Sequence, residues 1–331
     1  MKLNKLIILF LLAIQLPGYA QIGGESTFEF LNLTNSARMG ALGGNQIALG
    51  DSTDLNTSYN NPALLSREMT GLALANYVSY IAGINYGYAA WAFDSKNVGP
   101  ISLGVQYINY GKFTNANAEG EREGTFNAAE YALMASWARQ IKQFRLGITV
   151  KPLLSSLESY QSIGLAFDLG AAYSSPNQQT TLGLVLRNIG TQLTTYYEGA
   201  GHESLPFDLQ LGIGHKLAHA PLHLLATMQH LQRWQLLAND PDMESKATFG
   251  KNLLAHLVLG AELLPSENFH IRAGYNFQRR EELSFDENKS TVGFSWGFGF
   301  RIKRFRFDYG SARYHLASSS NHFSVAFRLQ P

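Results

Sequence analysis

Apolar and polar positions alternate with period two through most of this chain after residue 70. In 291–300, Val292, Phe294, Trp296, Phe298 and Phe300 share one face, and Gly293, Ser295, Gly297 and Gly299 share the other. Further on the same plan, Phe269, Ile271, Ala273, Tyr275 and Phe277 oppose His270, Arg272, Gly274 and Asn276. Likewise Phe207, Leu209, Leu211 and Ile213 oppose Asp208, Gln210, Gly212 and Gly214. About fourteen such runs occur, an even number as bacterial barrels require. They begin near Gly71, Ile84, Ile101, Asn127, Phe144, Ser162, Thr181, Phe207, Leu222, Leu253, Phe269, Thr291, Arg304 and Asn321.

Alternation alone does not say which face is outward, because a soluble β-sandwich alternates too, with its apolar side inside. The polar face decides. A solvated face normally carries Lys, Glu and Thr, and glycine there weakens a strand. Here the polar face mixes glycines with Arg and Asp, which suits a close-packed lumen behind a lipid-facing wall. The connections agree. Those after even-numbered runs are short (94–100, 139–143, 174–180, 216–221, 264–268, 301–303), and several after odd ones are long (111–126, 191–206, 231–252, 279–290). Short periplasmic turns and long outer loops produce this alternation in an up-and-down barrel. The predicted fold is all-β: a transmembrane antiparallel up-and-down β-barrel of about 14 strands with a short, partly helical N-terminal plug. The alternating stretch 322–329 supplies its closing strand.

The first seventy residues differ. In 1–20, Lys2 and Lys5 precede a short apolar stretch, and Gly18-Tyr19-Ala20 forms a small-x-small cleavage site. That is the pattern of a cleaved secretory signal peptide. No later run approaches the roughly 18–20 apolar residues of a spanning helix. Residues 21–70 lack alternation and contain Gly43-Gly44, Gly50-Asp51 and Asn60-Asn61-Pro62. A short helix is predicted over 36–42, with Asn35 as N-cap and Gly43 as its stop. Asn61 and Pro62, followed by Ala63, open a second one. The segment reads as a plug, or alternatively as an irregular extended arm, ahead of a barrel over 71–331.

Composition narrows the function. Lys+Arg number 26 against Asp+Glu 25, so nothing electrostatic points to nucleic acid. Charged residues are only 15%, as a lipid-facing wall demands, since a midplane charge costs roughly 2–4 kcal/mol. There is no cysteine, which excludes disulfides, thiol catalysis and thiolate metal sites.

Enzyme signals are weak. Gly293-Phe294-Ser295-Trp296-Gly297 matches G-x-S-x-G, but that motif needs a strand-to-helix turn and here it sits in alternation. His215, His219, His223 and His230 cluster around Pro221 in strand-and-turn sequence, which places them at the periplasmic rim rather than on a metal. Asp51 and Asp54 lack calcium-loop spacing and read as turn or cap residues. No catalytic constellation, metal site or cofactor is implied. Arg145, Lys151, Asp168, Arg187, Asp208, Arg272, Arg304, Arg306, Asp308 and Arg328 are candidate lumen charges, either lining a pore or cross-linking the interior and holding the plug. The long loops carry Glu119, Glu121, Arg122 and Glu123, and Trp234, Asp240 and Asp242, which are candidate partner-docking residues.

Several ordered motifs resemble a known family. They are Gln21-Ile22-Gly23-Gly24-Glu25-Ser26-Thr27-Phe28, Ser36-Ala37-Arg38, Ala41-Leu42-Gly43-Gly44, Asn61-Pro62-Ala63-Leu64-Leu65, Asn109-Tyr110-Gly111-Lys112-Phe113, Asn188-Ile189-Gly190-Thr191 and His230-Leu231-Gln232-Arg233-Trp234. Together they resemble the PorQ family of the type IX secretion system of Bacteroidetes, within the FadL-like, PorV-related barrel superfamily. The resemblance implies a non-enzymatic outer-membrane barrel in contact with lipid. It further implies anchoring of a peripheral PorZ-like surface protein, with a sortase-like PorU and the barrel PorV nearby, for cargo attachment to lipopolysaccharide. The alternative is a FadL-like transporter of hydrophobic small molecules. A continuous apolar track through the plug would favour the transporter.

Overall fold

The computed structural model describes residues 26–116, 121–237, 248–283, 291–313 and 318–329. The expected signal peptide, 1–20, lies outside them. The strands are β1 (Leu72–Ser79), β2 (Asn85–Ser95), β3 (Gly99–Ala116), β4 (Arg122–Ile141), β5 (Phe144–Leu157), β6 (Tyr160–Ser174), β7 (Thr180–Thr194), β8 (Asp208–Lys216), β9 (Leu222–Met228), β10 (Leu257–Ser266), β11 (Phe269–Asn276), β12 (Phe294–Ile302), β13 (Phe305–Arg313) and β14 (Ser319–Arg328). Each pairs antiparallel with its chain neighbours, and β1 closes on β14 from Leu72↔Arg328 to Ser79↔Asn321. The closed fourteen-strand barrel is the predicted fold. Closure leaves no unpaired strand edge, so every ladder group has a partner in a medium without water.

The alternation resolves in the predicted sense. Phe294 and Trp296 are 58% and 56% exposed on the outer wall, whereas Asp168 and Arg272, on the opposite pleat, are 1% exposed. Aromatic pairs on the outside, such as Phe300–Phe307 and Phe305–Phe327, girdle the end near the β12–β13 turn. One end of the barrel carries the connections 95–99, 141–144, 174–180, 216–222, 266–269 and 302–305. The other carries the long ones, 194–208, 228–257 and 276–294. By the loop-length rule the first end is periplasmic and the second is outer.

Several boundaries differ from expectation. Residues 111–126 are mostly strand: β3 has 18 residues and β4 has 20, about twice the 9–11 needed to cross a bilayer. Out of the membrane both faces of a hairpin are wet, so the amphipathic signal vanishes while pairing continues. Bulges at Asn109/Gly111 and Asn115/Ala116 bend this overhang, and Phe113 stacks on Phe126 at 5.3 Å. The run read from Leu253 is a helix, Phe249–Ala255, before β10, and the loop after β11 begins with the helix Phe277–Leu283. Val292, grouped with the outward face, is buried in the turn ahead of β12.

The N-terminal segment lies inside the barrel. Its first helix, Ala37–Ala41, is capped by Ser36 and not by Asn35. Ser36 has the extended backbone of an N-cap, and its Oγ accepts the Met39 N–H. Gly43 and Gly44, at φ 94° and 125°, end the helix where a side chain would be strained. A helix Asn56–Asn60 follows, and then the 3-10 turn Pro62–Leu64, with Asn61 as its cap and Pro62 at its first position.

Candidate functional site

The lumen and its plug form the site. The plug enters at the outer end, where the Thr27 N–H donates to the Ser204 carbonyl at 3.0 Å. It leaves at the periplasmic end, where Gly71 accepts from Leu329 at 2.8 Å. Between these points the inward glycines let the two backbones touch. A Cβ added at Gly147 would lie 2.3 Å from the Pro62 carbonyl carbon. One at Gly170 would lie 2.2 Å from Asn61 Oδ1, and one at Gly274 would lie 2.2 Å from the Gly43 nitrogen. These glycines sit on different strands, so the plug is held from several sides. The Asn61-Pro62-Ala63 corner is fixed further. Asn61 Oδ1 accepts the Ala63 N–H at 3.0 Å, and its Nδ2 donates to the Ile47 carbonyl at 2.9 Å.

One charge network clamps the plug to β10–β13. Arg38 donates to Glu262 through Nε and Nη2, both at 2.7 Å, and to Asp51 and Asp54 through Nη1 at 2.7 and 2.8 Å. Arg272 bridges Glu262 at 2.7 Å and Asp308 at 2.6 Å, and Arg306 donates from Nε to Asp308 at 2.8 Å. Three guanidinium groups therefore share four carboxylates in a water-poor interior, where a charge persists only if paired. Burial alone would raise the Asp51 carboxyl. The Arg38 and Arg306 guanidiniums outweigh it and hold that carboxyl well below the usual range. Burial likewise opposes the Arg38 charge, yet Glu262, Asp51 and Asp54 raise its pKa above the ordinary value.

A second network holds the opposite side. Lys151 Nζ pairs with Asp168 at 2.6 Å and donates to Asn188 Oδ1 at 2.8 Å. Arg187 donates to the plug, to Asn45 Oδ1 at 3.2 Å and to the Leu31 carbonyl at 3.1 Å, and it lies over the Tyr59 ring. The Tyr59 hydroxyl donates to Gln106 Oε1 at 2.8 Å, and burial pushes the phenol up to about 12. Asp208 receives the His230 N–H at 2.6 Å and the Gln210 Nε2 at 2.5 Å.

A depressed carboxyl has a defined pH signature. The folded-state pKa of Asp51 lies below its unfolded value near 4, so its contribution is fully present above about pH 4 and is lost as pH falls through the folded value. The Asp51 share of plug docking is therefore expected to be flat from about pH 8 to about pH 5 and to fall only in strong acid. Protease cleavage within 26–70 of the membrane-embedded protein and of its Asp51→Asn variant, followed against pH, checks this. A difference between the two that shrinks between neutral pH and about pH 5 would contradict it.

Of the candidate lumen charges, Asp168, Arg187, Asp208, Arg272, Arg306 and Asp308 are buried and inward, as is Lys151. Arg145 is half-buried near the periplasmic end and donates to Ser174 Oγ at 3.2 Å. Arg328 is half-buried and donates to the Thr70 and Glu68 carbonyls, each at 2.8 Å, tying the rim to the plug's exit. Arg304 is no lumen charge. It is exposed in the turn between β12 and β13, because Lys303 takes the left-handed backbone (φ 54°) that reverses the chain there. The histidines also divide. His215 and His219 are exposed at the periplasmic end, but His223 is buried 3.5 Å from Glu262, and His230 sits beyond β9 at the outer end. Among the described residues no cluster of three or more His, Asp or Glu is placed to hold a metal. Ser295 lies in β12 with its Oγ donating to the Ala41 carbonyl at 3.1 Å, so the G-x-S-x-G match is a lumen contact.

Glu121 and Arg122 are exposed at the tip of the β3–β4 hairpin, and Trp234 is exposed against Phe249 and His256. Glu119 and Asp240 lie outside the described residues. Sequence reasoning missed the two residues at the centre of the first network, Arg38 and Glu262. Glu262 was visible as a lone carboxylate on the inward pleat that carries Val258 and Gly260, opposite Leu259, Ala261 and Leu263.

The comparisons agree on architecture. No protein-family model matches the chain, and no curated protein sequence does. Among solved structures it is similar to a FadL homologue of Pseudomonas aeruginosa, at 11% identity and TM-score 0.53, covering 93% of this chain and 100% of that one. It is also similar to a mutant of the monoaromatic hydrocarbon channel TodX, at 13% identity and TM-score 0.51, covering 90% and 98%. The fold is therefore that of the FadL-like outer-membrane barrels, here with a plug wedged against the lumen wall.

Proposed function

We propose that the protein is a non-enzymatic outer-membrane scaffold of the PorQ kind, exported by a cleaved signal peptide, whose role is to hold a surface partner. The filled lumen carries this reading. The plug meets the wall at backbone contact distance on several strands, with the Arg38–Glu262 ion pair on one side and the Arg187 hydrogen bonds to Asn45 and Leu31 on the other. A barrel so closed serves as an anchor. Its outward equipment is the β3–β4 overhang, with Glu121 and Arg122 at its tip, together with the Trp234 surface. The ordered motifs quoted above support a PorZ-like peripheral lipopolysaccharide-binding protein as the partner, with PorU-like and PorV-like proteins in the same assembly. Replacing 110–125 by a two-residue turn is expected to lower partner retention on whole cells about tenfold or more, while the barrel still inserts. Unchanged retention, in this variant and in one lacking the 231–252 connection, would contradict docking at the outer end.

Transport of hydrophobic small molecules is the second reading. It is favoured by an apolar furrow of about 530 Å³ on the lipid-facing wall, floored by Ala226, Ala261 and Ala273. Against it, the cavity of about 250 Å³ at the outer mouth is lined largely by amide and charged side chains, among them Asn32, Asn45, Gln278 and Arg279.

A further inference from the structure

The periplasmic end carries a cationic cavity at the rim, where the plug leaves the barrel. It has a volume of about 180 Å³ and lies where the β12–β13 turn meets β14 and the plug. Arg301, Lys303, Arg304, Arg306 and Arg328 line it, and no carboxylate does. Apart from Arg306, which pairs with Asp308, Asp54 and Asp51, these side chains form no ion pair among the described residues. Arg328 donates to neutral carbonyls, and Arg301 donates to the Thr53 hydroxyl at 3.2 Å. Lys303 and Arg304 are exposed in the turn. Arg306 is buried, with only its Nε in a hydrogen bond to Asp308. Its Nη1 and Nη2 make none, meeting Asp51 and Asp54 only at 3.7 and 3.3 Å. With Arg306 turned to the plug, the exposed and half-buried cations Arg301, Lys303, Arg304 and Arg328, converging on a wall that holds no carboxylate, form a receptor for a multivalent oxyanion.

The remaining wall tells which oxyanion. Phe305, Leu72 and Ala326 line the same cavity. Phe305 faces lipid, 49% exposed, and its ring neighbours Phe307 and Phe327, while Ile302 beside it is 57% exposed. Basic floor and aromatic girdle thus meet at the depth where headgroup phosphates lie. A freely soluble anion would use only the basic half. We propose that this cavity binds the phosphate of an anionic phospholipid of the periplasmic leaflet, its acyl chains lying along the Phe305 side of the wall. Bound there, the lipid links the closing strand, the β12–β13 turn and the plug residue Thr53. The site is independent of the surface-partner reading, because it lies at the other end of the barrel.

The test uses the full chain, purified in a neutral detergent and offered equal amounts of phosphatidylglycerol and phosphatidylcholine, with bound lipid counted by native mass spectrometry. The expected result is retention of phosphatidylglycerol over phosphatidylcholine by about thirtyfold or more, falling as salt rises. The double variant Lys303→Gln/Arg304→Gln is expected to weaken phosphatidylglycerol about thirtyfold, equivalent to about 2 kcal/mol, and to leave phosphatidylcholine unchanged. Lys142→Gln, at a different periplasmic turn, is expected to change neither. Equal retention of the two lipids by the unaltered protein, or unchanged phosphatidylglycerol binding by the double variant, would overturn the proposal. So would inorganic phosphate binding at the cavity with no enrichment of the lipid, which would make it a free-phosphate site.

Discussion

Arg38→Ala is expected to release the plug while leaving the barrel wall closed, at a cost of about 3–5 kcal/mol. Arg38 is the one side chain that ties Asp51 and Asp54 of the plug to Glu262 of β10. Its loss takes the two-bond partner from Glu262, which keeps Arg272, and leaves Asp51 and Asp54 of the plug only the longer Arg306 contacts at 3.7 and 3.3 Å. The cost is that of buried carboxylates left in excess of their cations, and it exceeds the net worth of the pair itself, since burying both ions is expensive to begin with. Strand pairing does not depend on the arginine, because every strand is laddered to both neighbours. Two measurements separate the effects. Proteolysis within 26–70 should rise by two orders of magnitude or more, while the heat-resistant barrel band persists on gels. Arg38→Lys should recover only part of the loss, because an ammonium cannot hold Glu262 through two parallel bonds while also reaching Asp51 and Asp54. Removing both Arg38 and Glu262 should cost less than the sum of the single changes, as expected for groups in direct contact. If Arg38→Ala leaves cleavage unchanged, the charge network does not hold the plug.

The same residues show how far a sequence of this type can be read. Strand alternation is a local signal, written by the contrast between hydrocarbon and lumen. It was legible wherever that contrast exists, as in β11 and β12, down to the outward sense of Phe294 and Trp296. It failed where the contrast ends. The outer halves of β3 and β4 stand in water on both faces, so residues 111–126 look like loop although they are paired. Arg304 shares its parity with Arg306 and Asp308, and only the left-handed Lys303 takes it out of the strand. Charges facing the lumen were legible as a class, but their partners were not. Arg38 and Glu262 lie 224 residues apart, and nothing local announces a contact that exists only after the barrel has closed around the plug. The inward glycines sat between these limits. Their presence on the polar pleat indicated close packing, whereas what they pack against is long-range information.

Those glycines support the second large effect. Gly147→Val is expected to unseat the Asn61-Pro62-Ala63 corner and to make a silent barrel conduct ions. On an isolated strand the change would be favourable, since valine has better β-propensity by up to about 1 kcal/mol and glycine loses more chain entropy on folding. In this position the new Cβ would stand 2.3 Å from the Pro62 carbonyl carbon and 2.4 Å from the Ala63 nitrogen. Both are backbone atoms, so no side-chain rotation relieves the clash. The Pro62–Leu64 turn must therefore retreat from the wall, taking with it the Asn61 bond to Ile47 and exposing lumen charges to water. Overpacking of this kind costs about 1–3 kcal/mol or more, which outweighs the gain in strand propensity. Gly104→Ala is the matched control. The nearest contacts of its Cβ would be ring atoms of Tyr88, from 2.8 Å, a side chain of the wall rather than backbone of the plug. Planar-bilayer recordings distinguish the outcomes. The unaltered protein and Gly104→Ala should be closed, and Gly147→Val should show frequent openings. A barrel that already conducts before any substitution would mean that the plug does not seal the lumen, and the scaffold reading would lose the observation on which it rests.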